Sequence, residues 1–347
     1  MNRLIILEKN IFFIKCICCI FFSFSFSYLL FYFFLKYCKN LYFSVVVKDK
    51  KLINHKKKKD IFAIGGIVII ISVLINFIFI VKKIYFKIFL IFFIFLGYGL
   101  IGLVDDFYKI MHHKKGISCT TKYILQSIVT AVFIFLFSTL EVEKYSIFFP
   151  FYKEIVVPKF LYLSLCYLII IGSSNAVNLT DGLDGLAIFP IILTCLGFVV
   201  ISILFENENF FSYKSQNLRD ISFICFIVIG SGLAFLWFNS FPASIFMGDT
   251  GSLSLGSLIG VLSIFFKQEM FFFIMGIVFV IETISVILQV FFFKTVKKRI
   301  FKMSPIHHHY ELSFYHESKI VTRFWILSII GFFIAFFAAL IKNYNEI

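Results

Sequence analysis

Asn175-Ala176-Val177-Asn178-Leu179-Thr180-Asp181-Gly182-Leu183-Asp184-Gly185-Leu186-Ala187 lies between two apolar runs, Phe160 to Ile171 and Leu186 to Phe205. Two carboxylates, two carboxamides and a threonine therefore sit where the chain leaves one membrane span and enters the next. Polar groups at such a boundary are costly to dehydrate, so a dense cluster there reads as a site. A single Asp-Gly pair would read as a polar loop with a helix cap. The glycines after each aspartate permit tight turns and close backbone approach. The stretch has no His or Cys and offers only oxygen ligands and amides, a donor set suited to a hard cation such as Mg²⁺ and the phosphates it carries.

Working outward, the 347 residues are 61% hydrophobic and have a mean hydropathy of +0.98. Repeated long apolar runs exclude an ordinary soluble domain and predict an all-α, polytopic integral membrane helix bundle. About ten transmembrane helices are predicted, near 11–35, 61–81, 86–104, 123–140, 157–173, 185–205, 221–238, 252–266, 270–293 and 323–341. The connectors leave no room for a soluble domain, so residues 1–347 read as one transmembrane domain. The net charge of +14 sits mostly on lysines in short loops beside apolar spans. That pattern points to membrane orientation rather than to nucleic acid. The 53 Phe, with abundant Ile, Lys and Asn, also fit drift toward A/T-rich codons. The eight cysteines read as small apolar fillers, Cys16 and Cys19 included. The first apolar run is longer than a signal-peptide core and no small-residue cleavage site follows it.

The odd-numbered connectors, 36–60, 105–122, 174–184, 239–251 and 294–322, together with Arg323 hold 20 of the 33 Lys and Arg. The bias predicts that these connectors face the cytoplasm, with the N and C termini outside. Every unusual polar cluster falls on the same connectors: Lys56 to Lys59, Asp105-Asp106, the central stretch, Met247-Gly248-Asp249-Thr250-Gly251, and His307-His308-His309. One end of the bundle is therefore expected to carry a single composite site.

Asp105 and Asp106 end the apolar run Ile101-Gly102-Leu103-Val104. Adjacent carboxylates repel and favour a bound cation or proton. On a helix they diverge by about 100°, so one can bind metal while the other serves as a base. Asp249 lies in a polar, Gly-flanked turn entering an apolar run, where Thr250 or Ser252 could cap the helix and its N-terminus would favour anions. Consecutive histidines on a helix diverge and cannot share one ion, so contacts to phosphate or sugar are expected of them rather than zinc. Lys58 and its neighbours could neutralise phosphates. Acids, lysines, amides and histidines beside lipid fit phosphoryl transfer from a soluble nucleotide-linked donor to a lipid acceptor.

These residues resemble the phospho-N-acetylmuramoyl-pentapeptide-transferase family, within the polyprenyl-phosphate sugar-phosphate transferases. The likeness runs from about His55 to Trp325. It is carried by Gly102 to Asp106, Asn175 to Ala187, Phe246 to Ser252 and Pro305-Ile306-His307-His308-His309-Tyr310-Glu311. Lys115-Gly116, Lys122-Tyr123, Gln126, Glu282, Gln289 and Arg323-Phe324-Trp325 also match family positions. The resemblance implies a multi-pass enzyme of the bacterial cytoplasmic (inner) membrane with its site on the cytoplasmic loops. It would move phospho-MurNAc-pentapeptide from UDP-MurNAc-pentapeptide to undecaprenyl phosphate, with Mg²⁺, giving lipid I and UMP. It implies Asp249 as metal ligand, with Asp181 as a second, and Asp105 as the base toward the lipid phosphate, with Asp106 beside it. Asn178, Asp181 and Asp184 would shape the nucleotide and diphosphate site, and His307 and His308 would line the sugar–diphosphate region. Lys58 and Lys122 would meet phosphates, and Asn175, Asn239 and His309 complete the substrate-binding set. Direct attack by the lipid phosphate is expected, and a homodimer is left open.

Two segments depart from the family. Asp60-Ile61-Phe62-Ala63-Ile64-Gly65-Gly66 stands where the family usually has Gly-Thr-Pro-Thr-Met-Gly-Gly, and Phe314-Tyr315-His316 stands where it usually has Gly-Trp. An amino-sugar donor is the nearest rival reading, and the triple histidine opposes it. A transporter would place ionisable residues in mid-span, and here Glu282 is the main one.

Overall fold

The structure, a computed structural model, describes residues 2–38, 65–81, 84–111, 116–140, 145–152, 154–206 and 216–345. Lys58, Lys115 and the Asp60 to Ile64 segment lie outside them. In chain order the elements are α1 (Asn2–Cys38), α2 (Gly65–Ile80), α3 (Phe86–Met111), α4 (Cys119–Phe137), β1 (Ser146–Phe148), β2 (Glu154–Val156), α5 (Lys159–Thr180), α6 (Ile188–Glu206), α7 (Gln216–Asn239), α8 (Gly248–Phe265), α9 (Glu269–Met275), α10 (Ile277–Val296), α11 (Ile306–Glu311) and α12 (Glu317–Asn345). Among the described residues nine helices are long and apolar enough to cross a membrane, and α2 is a shorter apolar helix of 16 residues. The chain is thus an all-α polytopic membrane protein. Its strands form one antiparallel hairpin, with Ile147 opposite Ile155.

The bundle is built around α8. Its apolar content is the lowest of the nine spans, with a hydropathy of 1.2, yet 83% of it is buried. Small residues explain the inversion. In a membrane, close backbone approach replaces the hydrophobic effect as the force between helices. A methyl group on Gly102 of α3 would overlap the Asp249 carbonyl. One on Gly256 would come within 2.8 Å of Ser173 O and Ser174 Cα of α5. The hydroxyls of Ser254, Ser257 and Ser263 donate to carbonyls three residues earlier, so polar side chains enter the core without orphaned donors. Between α1 and α7, Ser27 Oγ donates to Ser231 Oγ at 2.9 Å, a second small polar joint.

Several helix ends differ from the sequence expectation: α5, expected to end near 173, runs to Thr180 and takes in the first half of the central stretch, and two further differences matter here. The acids at 105 and 106 do not end α3, which continues to Met111 and carries Lys109 on the turn after them. The span expected at 270–293 is broken at Gly276 into α9 and α10. Gly276 leaves helical geometry (φ −86°, ψ 25°) while its N–H still donates to Phe272 O at 2.7 Å, closing one helix before the next begins. A hydropathy pattern does not register such a break because both pieces are apolar.

Candidate active site

Described residues of the connectors 105–122, 174–184, 239–251 and 294–322 meet at one end of the bundle. Asn239 links two of them: its Oδ1 accepts from Gly185 N at 2.9 Å and its Nδ2 donates to Ile245 O at 2.7 Å. Asp184 links the same pair, with Oδ2 accepting from Ala243 N at 3.0 Å, while its own N–H donates to Glu317 of α12 at 2.9 Å. Trp325 Nε1 donates to Gly185 O. Gly65 and Gly66 donate their N–H groups to Phe246 O and Met247 O, tying the start of α2 to the turn before Asp249.

Inside this frame Asp105, Asp106 and Asp249 converge, with a set of their carboxylate oxygens all within 4.8 Å of one another. Asp106 accepts from Asp249 N (3.1 Å), Thr250 N (2.9 Å) and Thr250 Oγ1 (2.7 Å). These are the first N–H groups of α8, which would otherwise lack partners. Asp106 is therefore a cap supplied by another helix, with its negative charge at the positive end of the α8 dipole. The expectation that Thr250 or Ser252 caps α8 is corrected. Thr250 donates to Asp106 instead, and Ser252 Oγ donates to Gly248 O and accepts from Asn178 Nδ2. Gly248, at φ +68°, takes the left-handed turn that presents Asp249.

Two lysines interlock with the acids. Lys109 Nζ lies 2.7 Å from Asp105 Oδ2, 2.7 Å from Asp249 Oδ1 and 3.5 Å from Asp106 Oδ1. Lys122 Nζ lies 2.5 Å from Asp249 Oδ2 and 3.1 Å from Asp105 Oδ2. Lys122 is positioned because Ser118 caps α4, accepting from Thr121 N at 3.0 Å. The adjoining Ile117 N–H donates to Asp105 Oδ1 at 2.8 Å. Lys109 was not singled out from the sequence. Its signal is the i, i+4 spacing from Asp105, which counts only once the helix is carried past the aspartates.

A cavity of about 190 Å³ opens on this cluster, lined by Asp106, Lys109, Asn178, Asp181, Gly182, Leu183, Phe246, Gly248 and Asp249. Asp181 faces it but is not one of the three clustered carboxylates. Burial, then the negative charges of Asp249, Asp106 and Asp184, push its carboxyl up to about 8. The three-carboxylate set suits a hard divalent ion.

The rings of His307 and His308 touch, with centres 4.1 Å apart, but the three histidines have different polar partners. His307 is fully buried, with Nδ1 3.1 Å from Glu282 Oε2 but off line for a hydrogen bond, and a side chain at Gly182 would overlap its Nε2. His308 Nδ1 lies 2.6 Å from Glu311 Oε2. His309 Nδ1 accepts from Lys302 N and its ring packs on Phe301. Asn175 stands apart from the cavity lining, its Nδ2 donating to Gln126 Oε1 at 2.9 Å and to Ile171 O. The structure thus groups Asp105, Asp106, Asp249, Lys122, Asn178 and Asp181. It sets Asp184 and Asn239 in the frame beneath, Asn175 to one side, and His307 behind Gly182.

The model for the family described as "Glycosyl transferase family 4" matches residues 88–267, which include all three clustered acids. Proteins named phospho-N-acetylmuramoyl-pentapeptide-transferase are similar over most of the chain. That of Buchnera aphidicola subsp. Acyrthosiphon pisum (strain 5A) is 42% identical, covering 86% of each protein. That of Buchnera aphidicola subsp. Baizongia pistaciae (strain Bp) is 45% identical over 80% of this chain and 84% of the relative. That of Francisella philomiragia subsp. philomiragia is 41% identical over 89% and 88%. With an all-α membrane bundle and a carboxylate–lysine cluster inside the matched region, the chain belongs to glycosyl transferase family 4 and, within it, to the phospho-N-acetylmuramoyl-pentapeptide-transferases.

Proposed function

We propose that this protein transfers phospho-N-acetylmuramoyl-pentapeptide from UDP-MurNAc-pentapeptide to undecaprenyl phosphate, forming lipid I and UMP, the lipid I-forming step of peptidoglycan synthesis. The observation that carries the reading is the meeting of Asp105, Asp106 and Asp249 with Lys109 and Lys122 beside one cavity. In this reading residues 1–347 form one transferase domain of the bacterial inner membrane, and the end with the acids faces the cytoplasm, where a soluble nucleotide donor is available.

The residues divide the work by charge. Phosphoryl transfer depends chiefly on positioning and on neutralising negative charge. Asp249, with Asp105 or Asp106, would hold Mg²⁺, which when bound neutralises charge on the diphosphate. Lys109 and Lys122 are held by the carboxylates, and an arriving diphosphate competes for both ammonium groups. Each lysine that turns to a phosphate oxygen frees carboxylate oxygens. Asp105 then accepts a proton from the lipid phosphate, whose oxygen attacks the sugar-linked phosphorus. The bond from that phosphorus to the UMP oxygen breaks, and UMP leaves. Asp106 stays on the α8 N-terminus and holds Asp249 in place. Asn178, and Asp181 with its proton retained near neutral pH, offer donors to the diphosphate. Asp184 and Asn239 keep the loops in register, and His307 and His308 support the sugar side.

The test is UMP release by the purified full chain with the muramoyl-pentapeptide donor and undecaprenyl phosphate, with and without Mg²⁺. Release that needs donor, lipid and metal supports the reading. Equal turnover of UDP-N-acetylglucosamine, or turnover untouched by chelation, overturns it.

A further inference from the structure

At the end of the bundle remote from the acids lies a second cavity, of about 360 Å³, within the range typical of ligand pockets. Lys87, Lys267 and Lys342 reach it from three different elements. Lys87 begins α3, the helix that carries Asp105 near its other end, about 27 Å away along the axis at 1.5 Å per residue. Lys267 follows the last turn of α8, whose first turn carries Asp249. The hydrocarbon core of a bilayer is roughly 30 Å thick, so the two cavities belong to opposite membrane surfaces.

Three features single this cavity out from ordinary lysines at a membrane edge. Lys267 occupies a left-handed position, φ +53°, in a helix-ending turn where Gln268 N donates to Ser263 O and Lys267 N to Ile264 O. Glycine usually takes that place. Lys342 is only 6% exposed, its ammonium 3.5 Å from the ring centre of Phe148 and 4.6 Å from that of Phe205. Its charge therefore faces the cavity from a dry aromatic wall. Among the described residues, neither Lys87 nor Lys267 has a carboxylate within ion-pair distance; Glu269, which feels the charge of Lys267 from farther off, accepts from the Tyr162 hydroxyl at 2.5 Å. Buried Ser202 accepts from Gln268 Nε2, which leaves its own hydroxyl proton available to an occupant. Lys87 and Lys267 are like charges brought together in a partly dehydrated pocket, which favours a counter-anion beside them.

We infer that Lys87 and Lys267, in the cavity that Lys342 also lines, form an anion site that takes a phosphate group, with the headgroup of an anionic phospholipid in the leaflet away from the acids as its occupant. Lysine binds phosphate as a compact point charge, and basic pockets between membrane helices suit lipid headgroups. Phe148 and Phe205 supply apolar wall for the glycerol and upper acyl region of the lipid.

Full-length protein in neutral detergent provides the test. In native mass spectrometry with equal phosphatidylglycerol and phosphatidylcholine, the expected result is at least fivefold preference for the anionic lipid. The Lys87→Gln/Lys267→Gln variant loses that preference. A second arm measures the unfolding temperature in inorganic phosphate against chloride at matched ionic strength. A rise with phosphate that the variant abolishes, without any lipid preference, keeps the anion site and replaces the headgroup by free phosphate as its source. The wild-type chain supplies a measurement that needs no variant. Acetylation of Lys87 and Lys267 should slow at least threefold in the presence of phosphatidylglycerol or phosphate. Unchanged acetylation with both probes, no lipid preference and no phosphate effect overturn the inference.

Discussion

The two ends of α3 and α8 carry charge in opposite ways. At one end Asp105, Asp106 and Asp249 interlock with Lys109 and Lys122, so each charge has a partner within the protein. At the other, Lys87 and Lys267 share a cavity with Lys342, and the first two lack a carboxylate partner among the described residues. The same pair of helices thus presents one site where acids and lysines are interlocked, three carboxylates to two ammonium groups, and one where two lysines have no carboxylate within ion-pair distance among the described residues. Interlocked charges can exchange partners, and the surplus carboxylate favours a cation, which suits turnover. Lysines without a near carboxylate favour an anion that stays, which suits retention.

The predictions test this contrast. The largest effect is expected from Asp249→Ala, which removes a residue touched by both lysines at the first turn of α8. UMP release should fall by about 10³-fold while circular dichroism stays helical; near-normal turnover would remove Asp249 from the centre. Asp105→Asn should lower kcat by about 10²-fold and leave donor affinity nearly unchanged, read from single-turnover rates beside donor binding. If binding falls and the rate holds, Asp105 is a positioning residue. Asp106→Asn keeps the shape of the side chain but loses its charge and one of its two accepting oxygens. It should destabilise the protein by about 1 kcal/mol, seen as a lower unfolding temperature. If kcat falls with no change in stability, Asp106 acts on substrate rather than on α8. A pH dependence is expected as well. The folded-state value of about 8 for Asp181 lies above the ordinary carboxylate value of 3.8, so the folded protein binds more protons between them. The stability contributed is complete below about 3.8 and is lost as pH rises through 8. Metal-free protein should therefore unfold more easily at pH 9 than at pH 6, and Asp181→Asn should flatten that difference. Because a divalent ion at the cavity favours the carboxylate form, Mg²⁺ should stabilise the protein more at pH 9 than at pH 6.

Much of the site was legible before any coordinates. Polar residues cannot be placed freely in a chain that must cross a bilayer, so Asp105, Asp181 and Asp249 stood out against their apolar surroundings. What could not be read was which group neutralises which. Lys109 looked like one positive loop residue among several until α3 proved to continue through Met111. Asp106 looked like a second reactive acid, and its bonds to Asp249 N and Thr250 N make it the cap of a distant helix. The histidines form one motif in the sequence, but His307, His308 and His309 meet Glu282, Glu311 and Lys302 respectively, because each residue on a helix turns the side chain by about 100°; only the rings of His307 and His308 still touch.

By itself the sequence determined the apolar spans, the all-α membrane class and the gathering of polar clusters on alternate connectors. Those features are local: span length is set by bilayer thickness, and dehydration drives charge to the span ends. Tertiary structure decided that α8, the least apolar span, is the central one, because Gly102 and Gly256 let neighbouring backbones close on it. It also decided that Lys87, Lys267 and Lys342 share a cavity. Which surfaces meet depends on the fit of small side chains between helices far apart in the chain, and neither hydropathy nor charge spacing encodes that fit.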